Sequence, residues 1–196
     1  MFSEIYVIGK GVVAKSAQKI ASEFFAKKAI LCEDFASSAK ADEFFARLKN
    51  ALIISANNFY LFKANCICQN TIINYHNALL PKHRGVNAHI WAIWENDKKS
   101  GISWHLVDSG IDTGKILIQK TIKLDENTTA RELLLAQHKL ATTSLNQALQ
   151  KLVSKEFIEQ KITKSQIHSK KDLPNNAILE LAWEEEKISR FLRAFD

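Results

Sequence analysis

"SEIYVIGKGVVAKSAQKIASEFFAKKAILCED", residues 3–34, decides the fold. Its opening SEIYVIG is a short apolar run that stops at Gly9-Lys10-Gly11 and reads as a buried strand. Val13, Ala17, Ile20 and Phe24 then recur at helical spacing, and AILCED returns to a strand pattern. Two strands joined through a helix are expected to lie parallel, since a tight turn would be needed to pair them antiparallel. Working outward, KADEFFARLK (40–49) reads as a helix, ALIISA (51–56) as a third strand and TIINYH (71–76) as a fourth. The alternation predicts an α/β protein, a Rossmann-like, doubly wound, mostly parallel sheet with helices on both faces.

Further along, a helix is expected from near Val86 or Asn87, and GISWHLV and KILIQKTIKL read as two more strands, the second with period-2 alternation. Thr129 with Glu132 forms a capping box that opens a long helix through about Val153. A basic segment and Pro174 follow, then LELAWEEEKISRFLRAF, a strand-like start leading into an amphipathic helix. The division expected is one domain over residues 1–180 and a C-terminal linker helix over 181–196 that stops abruptly, as if before a small accessory domain.

The 196 residues, 46% hydrophobic and 24% charged with six Gly and two Pro, support a single substantial core and exclude disordered and fibrous classes. MFSEIYVIGKG has no basic leader and runs straight into a strand, and no apolar run approaches the ~20 residues of a membrane span. Cys32, Cys66 and Cys68 lack metal spacing, so no metal site is expected, and reduced thiols point to the cytoplasm. The net charge of +6 is compatible with anionic partners. Lys161, Lys164, Lys170 and Lys171 with His168 concentrate part of it, more simply as a solvated loop or hairpin than as a nucleic-acid footprint.

Gly9-Lys10-Gly11-Val12-Val13-Ala14, between a strand and a helix, matches the dinucleotide fingerprint with Ala in the last place, and Glu33 and Asp34 fall where a ribose-binding acid would. The same turn serves equally as plain structure, or as backbone N–H groups at Gly9 and Gly11 holding the phosphate of another ligand. An NAD-type dinucleotide-binding protein is thus one alternative.

Side chains two apart on a strand share a face, so Asn74 and His76 point together while Ile73 and Tyr75 point away. Ligands of open α/β sheets bind beyond the carboxyl ends of the strands, where this pair sits. An amide donor and an imidazole make a plausible oxyanion hole. Asp108 and Asp112, in the Gly-rich stretch HLVDSGIDTGK, offer a carboxylate that would raise the pKa of His76 at close range. Each residue taken alone reads as well as a turn or cap residue.

The pattern Asn74-x-His76-x-x-Leu79-Leu80-Pro81-x-x-Arg84-Gly85, followed by KSGISWHLVDSGIDTGKILIQ with Asp112 placed 36 positions after His76 (112 − 76), resembles the folate-dependent formyltransferases over about residues 50–124. The resemblance implies a catalytic trio of Asn74, His76 and Asp112, with 10-formyltetrahydrofolate as co-substrate and Asp112 keeping His76 charged. It implies folate contacts at Phe59, Tyr60 and Leu61 and at Asp108, Ser109, Gly110 and Ile111, and substrate contacts at Arg84, Asn87 and His89, with Gly9 and Gly11. His105 is a candidate partner of Asp112, and Trp91, Trp94, Trp104 and Trp183 read as core or interface residues. Of the amines such enzymes formylate, methionyl-tRNA calls for a large C-terminal domain, and RGVNAHIWAIW is similar to the amino-sugar relatives. The expected acceptor is therefore a small molecule, an amino sugar on a nucleotide carrier, in an enzyme without membrane or nucleic-acid partners. Methionyl-tRNA and phosphoribosylglycinamide stay as alternatives, and a homodimer stays open.

Overall fold

A computed structural model describes residues 2–33, 35, 37–162 and 166–196. Asp34 and Lys164, named above, lie outside the described residues. Strand β1 (Ile5–Ile8), helix α1 (Gly11–Phe25), β2 (Ala29–Cys32), α2 (Ser38–Ala46), β3 (Leu52–Ser55), α3 (Ala64–Gln69) and β4 (Thr71–His76) form the alternating half. Then come β5 (Arg84–Gly85), α4 (Ala88–Trp94), β6 (Lys99–Leu106), β7 (Ile116–Lys123), α5 (Ala130–Ser154), β8 (Ile167–His168), a 3-10 turn (Pro174–Ala177) and α6 (Glu185–Ala194).

The main sheet runs β2-β1-β3-β4-β6-β7. Its first four strands are parallel, with Ile5 opposite both Ala29 and Leu52, and Ser55 opposite Asn74. β6 and β7 complete it antiparallel, with Asn74 facing His105 and His76 facing Ser103 across β4 and β6. One face carries Ile5, Val7, Leu52, Ile54, Ile73, Tyr75, Ile102 and Trp104. α1 and α5 cover it, and their alanines (Ala14, Ala17, Ala21, Ala141 and Ala148) let the helices lie close. The opposite face is narrower: Tyr6, Ile8, Ile53 and Ile72 pack under Ala41 and Phe45 of α2. Along β4 that face continues from Ile72 to Asn74 and His76, so the apolar cover ends where the polar pair begins.

The capping box of α5 has both bonds, Thr129 N to Glu132 Oε2 at 3.0 Å and Glu132 N to Thr129 Oγ1 at 3.2 Å. The link between β3 and β4 contains the short helix α3, an element for which no expectation was drawn. Two expectations need correction. The strand-like start before α6 is not a strand: Ile178 and Leu181 are exposed, and Trp183 N bonds Glu180 O in a turn. The basic segment is more than a solvated loop, because β8 pairs in parallel with β5, Gly85 opposite His168. That pairing requires glycine: Gly85 sits at φ +93°, and a Cβ there would lie 2.1 Å from His168 O.

Candidate active site

Asn74 and His76 project from the end of β4, and His105 reaches the same spot from the cross-strand position on β6. The β6–β7 loop brings Asp112 over them. Asp112 sits at φ +52°, and Gln160 braces the loop through Nε2 to Asp112 O (3.0 Å) and Gly114 O (2.7 Å). Asp112 Oδ2 lies 3.5 Å from His76 Nδ1 and accepts from Gly85 N–H at 2.8 Å. Oδ1 lies 3.4 Å from His105 Nε2 and 3.5 Å from Asn74 Nδ2. Residues from four separate segments thus meet around one carboxylate.

The hydrogen bonds set the tautomers. His76 Nε2–H donates to His83 O at 2.9 Å, which leaves Nδ1 facing Asp112. His105 Nδ1–H donates to Leu106 O at 2.8 Å, so Nε2 can accept from Asn74 Nδ2 at 3.2 Å. Burial pushes the His76 imidazole below its ordinary value, and the neighbouring His105 and His83 add to this against the opposing charge of Asp112. Burial alone would raise the Asp112 carboxyl, but the His76 and His105 rings beside it and the Gly85 N–H hold it well below the usual carboxylate range. The expectation that Asp112 keeps His76 charged is therefore corrected. Desolvation wins, and the resting pair is a neutral ring beside an ionised carboxylate.

The flanking loops are less uniform than expected. Phe59 and Leu61 are exposed, with Lys170 Nζ 5.5 Å from the Phe59 ring centroid. Tyr60 instead turns inward, stacks on Phe45 and donates to Asp42 Oδ1 at 2.6 Å. Asp108 ties its own loop, accepting from Gly110 N and Thr113 Oγ1, while Ser109 and Ile111 face outward. Arg84 is buried. Asn87 caps α4 in a left-handed conformation, and His89 Nδ1 pairs with Asn77 Nδ2 at 3.0 Å, its pKa lowered by burial to about 4.

The structure does not bring Gly9 and Gly11 to the trio: β3 lies between β1 and β4. A Cβ on Gly9, at φ +142°, would lie 1.8 Å from Ala56 O. Gly9 N and Lys10 N bond Cys32 O and Asn57 O, donors a pyrophosphate would otherwise use. Glu33 is paired with Lys15 at 3.8 Å. Sequence reasoning missed three backbone groups and one side chain at the site: Gly85 N–H, His83 O, Leu106 O and the Gln160 amide.

Fold and site define an α/β protein whose mostly parallel sheet presents an amide, two imidazoles and a carboxylate together at the carboxyl end of one strand. Residues 9–149 match the model of the Formyl transferase family, and the chain belongs to that family. It is 30% identical over 161 residues to the GDP-perosamine N-formyltransferase of Brucella melitensis, a match covering 81% of this chain and 62% of that protein. It is 37% identical over 89 residues to the methionyl-tRNA formyltransferase of Caldanaerobacter subterraneus, covering 45% of this chain and 29% of that one. Its fold superposes with a TM-score of 0.82 on the Helicobacter canadensis N-formyltransferase in complex with folinic acid and dTDP-3-aminofucose, at 22% identity, covering 100% of this chain and 81% of that one. The chain thus spans less than two thirds of the Brucella relative's length. Among the described residues no helix is long and apolar enough to cross a membrane.

The histidine shift carries a stability prediction. Folded His76 resists a proton that the unfolded chain binds below about the ordinary value of 6.5, so stability falls as pH drops below that value towards the folded pKa. Asp112 acts in the same direction lower down, its contribution being lost as pH falls from 3.8 through its depressed value. The urea midpoint is expected to drop between neutral and mildly acidic pH, and to drop less in His76→Asn. Equal drops in the two proteins would contradict the assignment.

Proposed function

We propose that this chain transfers a formyl group from 10-formyltetrahydrofolate to a primary amine on a nucleotide-linked amino sugar. The observation that carries the reading is the convergence of Asn74, His76 and Asp112 on one spot, with the Asp112 carboxylate 3.5 Å from both Asn74 Nδ2 and His76 Nδ1. The GDP-perosamine for which the Brucella enzyme is named and the dTDP-3-aminofucose bound to the Helicobacter N-formyltransferase support the acceptor class. The exposed apolar side chains Phe59, Leu61 and Ile111, on loops after β3 and β6, suit the aromatic body of a folate.

The co-substrate supplies an activated formyl carbon. At that carbon Asn74 Nδ2–H donates to the oxyanion that forms when the amine adds. His76, neutral at rest with Nδ1 towards the pocket, takes up the proton shed by the attacking amine, and the ionised Asp112 stabilises the resulting imidazolium. The same proton then serves the departing nitrogen. Gly85 N–H and the Gln160 amide hold Asp112 in place.

Incubating the protein with 10-formyltetrahydrofolate and a panel of nucleotide amino sugars, and following tetrahydrofolate release and the mass gain of one formyl group, tests the reading. Folate binding without transfer to any amino sugar would overturn the acceptor assignment. Transfer to methionyl-tRNA alone would replace it. Asn74→Ala is expected to lower kcat on the order of 10²–10³-fold, as for loss of one oxyanion donor, with little change in folate affinity. An equal loss in KM and none in kcat would assign Asn74 to binding alone.

A further inference from the structure

On the far side of β5 from the trio lies a second polar cluster that this chemistry does not use. His83 and His168 are buried, at 6% and 4% exposure, and Glu95 stands beside them at the surface. One ligand-capable atom from each lies within 4.8 Å of the others. His168 Nε2 has no hydrogen-bond partner although it is buried. An orphaned imidazole nitrogen in that position loses its solvation with nothing in return, unless a ligand completes it. The other side of the ring is fixed, since Trp91 stacks on it with centroids 4.1 Å apart at 12°.

We propose that His83, Glu95 and His168 bind one divalent ion of the zinc class. Two imidazoles and one carboxylate are a borderline-soft donor set that suits zinc and its first-row neighbours better than magnesium or calcium. Bonds of about 2.0–2.1 Å to a tetrahedral ion place ligand atoms about 3.3 Å apart. The separations here need to close by little more than an ångström, and the exposed Glu95 side chain is free to swing. The charge also fits: Glu95 and Asp97 bring two negative charges, of which Lys82 offsets one through its 2.6 Å bond to Asp97. Asp97 Oδ2 lies 2.9 Å from His83 Nε2, the nitrogen that also faces Glu95 Oε2 at 4.0 Å, so an ion there takes the place of the proton between them and Asp97 stands beside it as a further oxygen donor. His168 also lines an open cavity of about 400 Å³ together with Trp91, Asp172 and Asn176.

The three ligands come from the loop before β5, the turn after α4, and β8. An ion there ties these segments together and braces His83, whose carbonyl accepts from His76 Nε2. The site stands whether or not formyl transfer is confirmed, because its test reads metal and not turnover.

The chelator-treated protein is titrated with Co²⁺. One equivalent is expected to bind with visible d–d bands of a low-coordinate N/O site and no thiolate charge-transfer band, and Zn²⁺ should displace it. His83→Gln and His168→Gln should each abolish the bands, and Glu95→Gln and Asp97→Asn should each weaken binding on the order of 100-fold. Zn²⁺ should raise the Tm of the native protein by mass action and leave His168→Gln unmoved. No stoichiometric binding to the native protein, thiolate bands, or bands that persist without both histidines would overturn the proposal. Should a histidine variant misfold, the native spectrum and Glu95→Gln decide the question alone.

Discussion

Asp112→Asn is expected to lower kcat by about 10³–10⁴-fold while leaving the protein folded. The amide is isosteric and still accepts from Gly85 N–H, so the loop keeps its bond at that position. What it loses is the charge. Asp112 Oδ2 is the negative group facing His76 Nδ1 at 3.5 Å, and without it the imidazolium that forms as the amine gives up its proton stands in a buried site with no counter-charge. Carboxylate-to-amide changes beside a catalytic histidine cost about 10⁴ in the serine-protease case, where the wrong tautomer is also favoured. The effect here should be of similar size. Burst and steady-state kinetics at saturating folate and amine measure it, and a variant within tenfold of the native kcat would remove Asp112 from the proton path. The folate KM should stay nearly constant, since in the proposed mechanism Asp112 acts at the reacting centre and not on the ring system.

The second large effect is structural. Trp104→Ala is expected to destabilise the protein by about 3–5 kcal/mol, the range for truncating a large buried aromatic. Trp104 has no exposed surface. Its ring packs 5.8 Å from that of Tyr75, and Nε1 donates to Ala141 O of α5 at 3.3 Å. Truncation leaves a cavity between the sheet and α5 and removes one of the hydrogen bonds to the Ala141 carbonyl, which keeps Ser144 Oγ at 3.5 Å. Because His105 follows Trp104 on β6, the loss also loosens a residue that lies beside Asp112. Urea titration gives the magnitude, and a loss below about 1 kcal/mol would mean that α5 collapses onto the gap.

How far the sequence reached is clearest residue by residue. The faces of β4 were legible because alternation is a local geometric rule, and Ile73 and Tyr75 do enter the core under α1 and α5 while Asn74 and His76 do not. The capping box at Thr129 was legible for the same reason. The direction of the Tyr60 side chain was not legible because nothing local says whether an aromatic between Phe59 and Leu61 turns outward or back onto Phe45. The protonation state of His76 was misread because a carboxylate can be seen in a sequence and the extent of desolvation cannot.

The sequence alone determined the alternating elements, the parallel half of the sheet and the pairing of Asn74 with His76, all set by interactions a few residues long: hydrophobic period, helix caps and the two-residue repeat of a strand. Tertiary structure alone decided that Asp112 meets His76, that Gly85 admits β8, and that His83, Glu95 and His168 gather around an unpartnered nitrogen. Those contacts join segments far apart in the chain. Their distances and burial come from how helices and loops pack over the sheet, which no local pattern encodes.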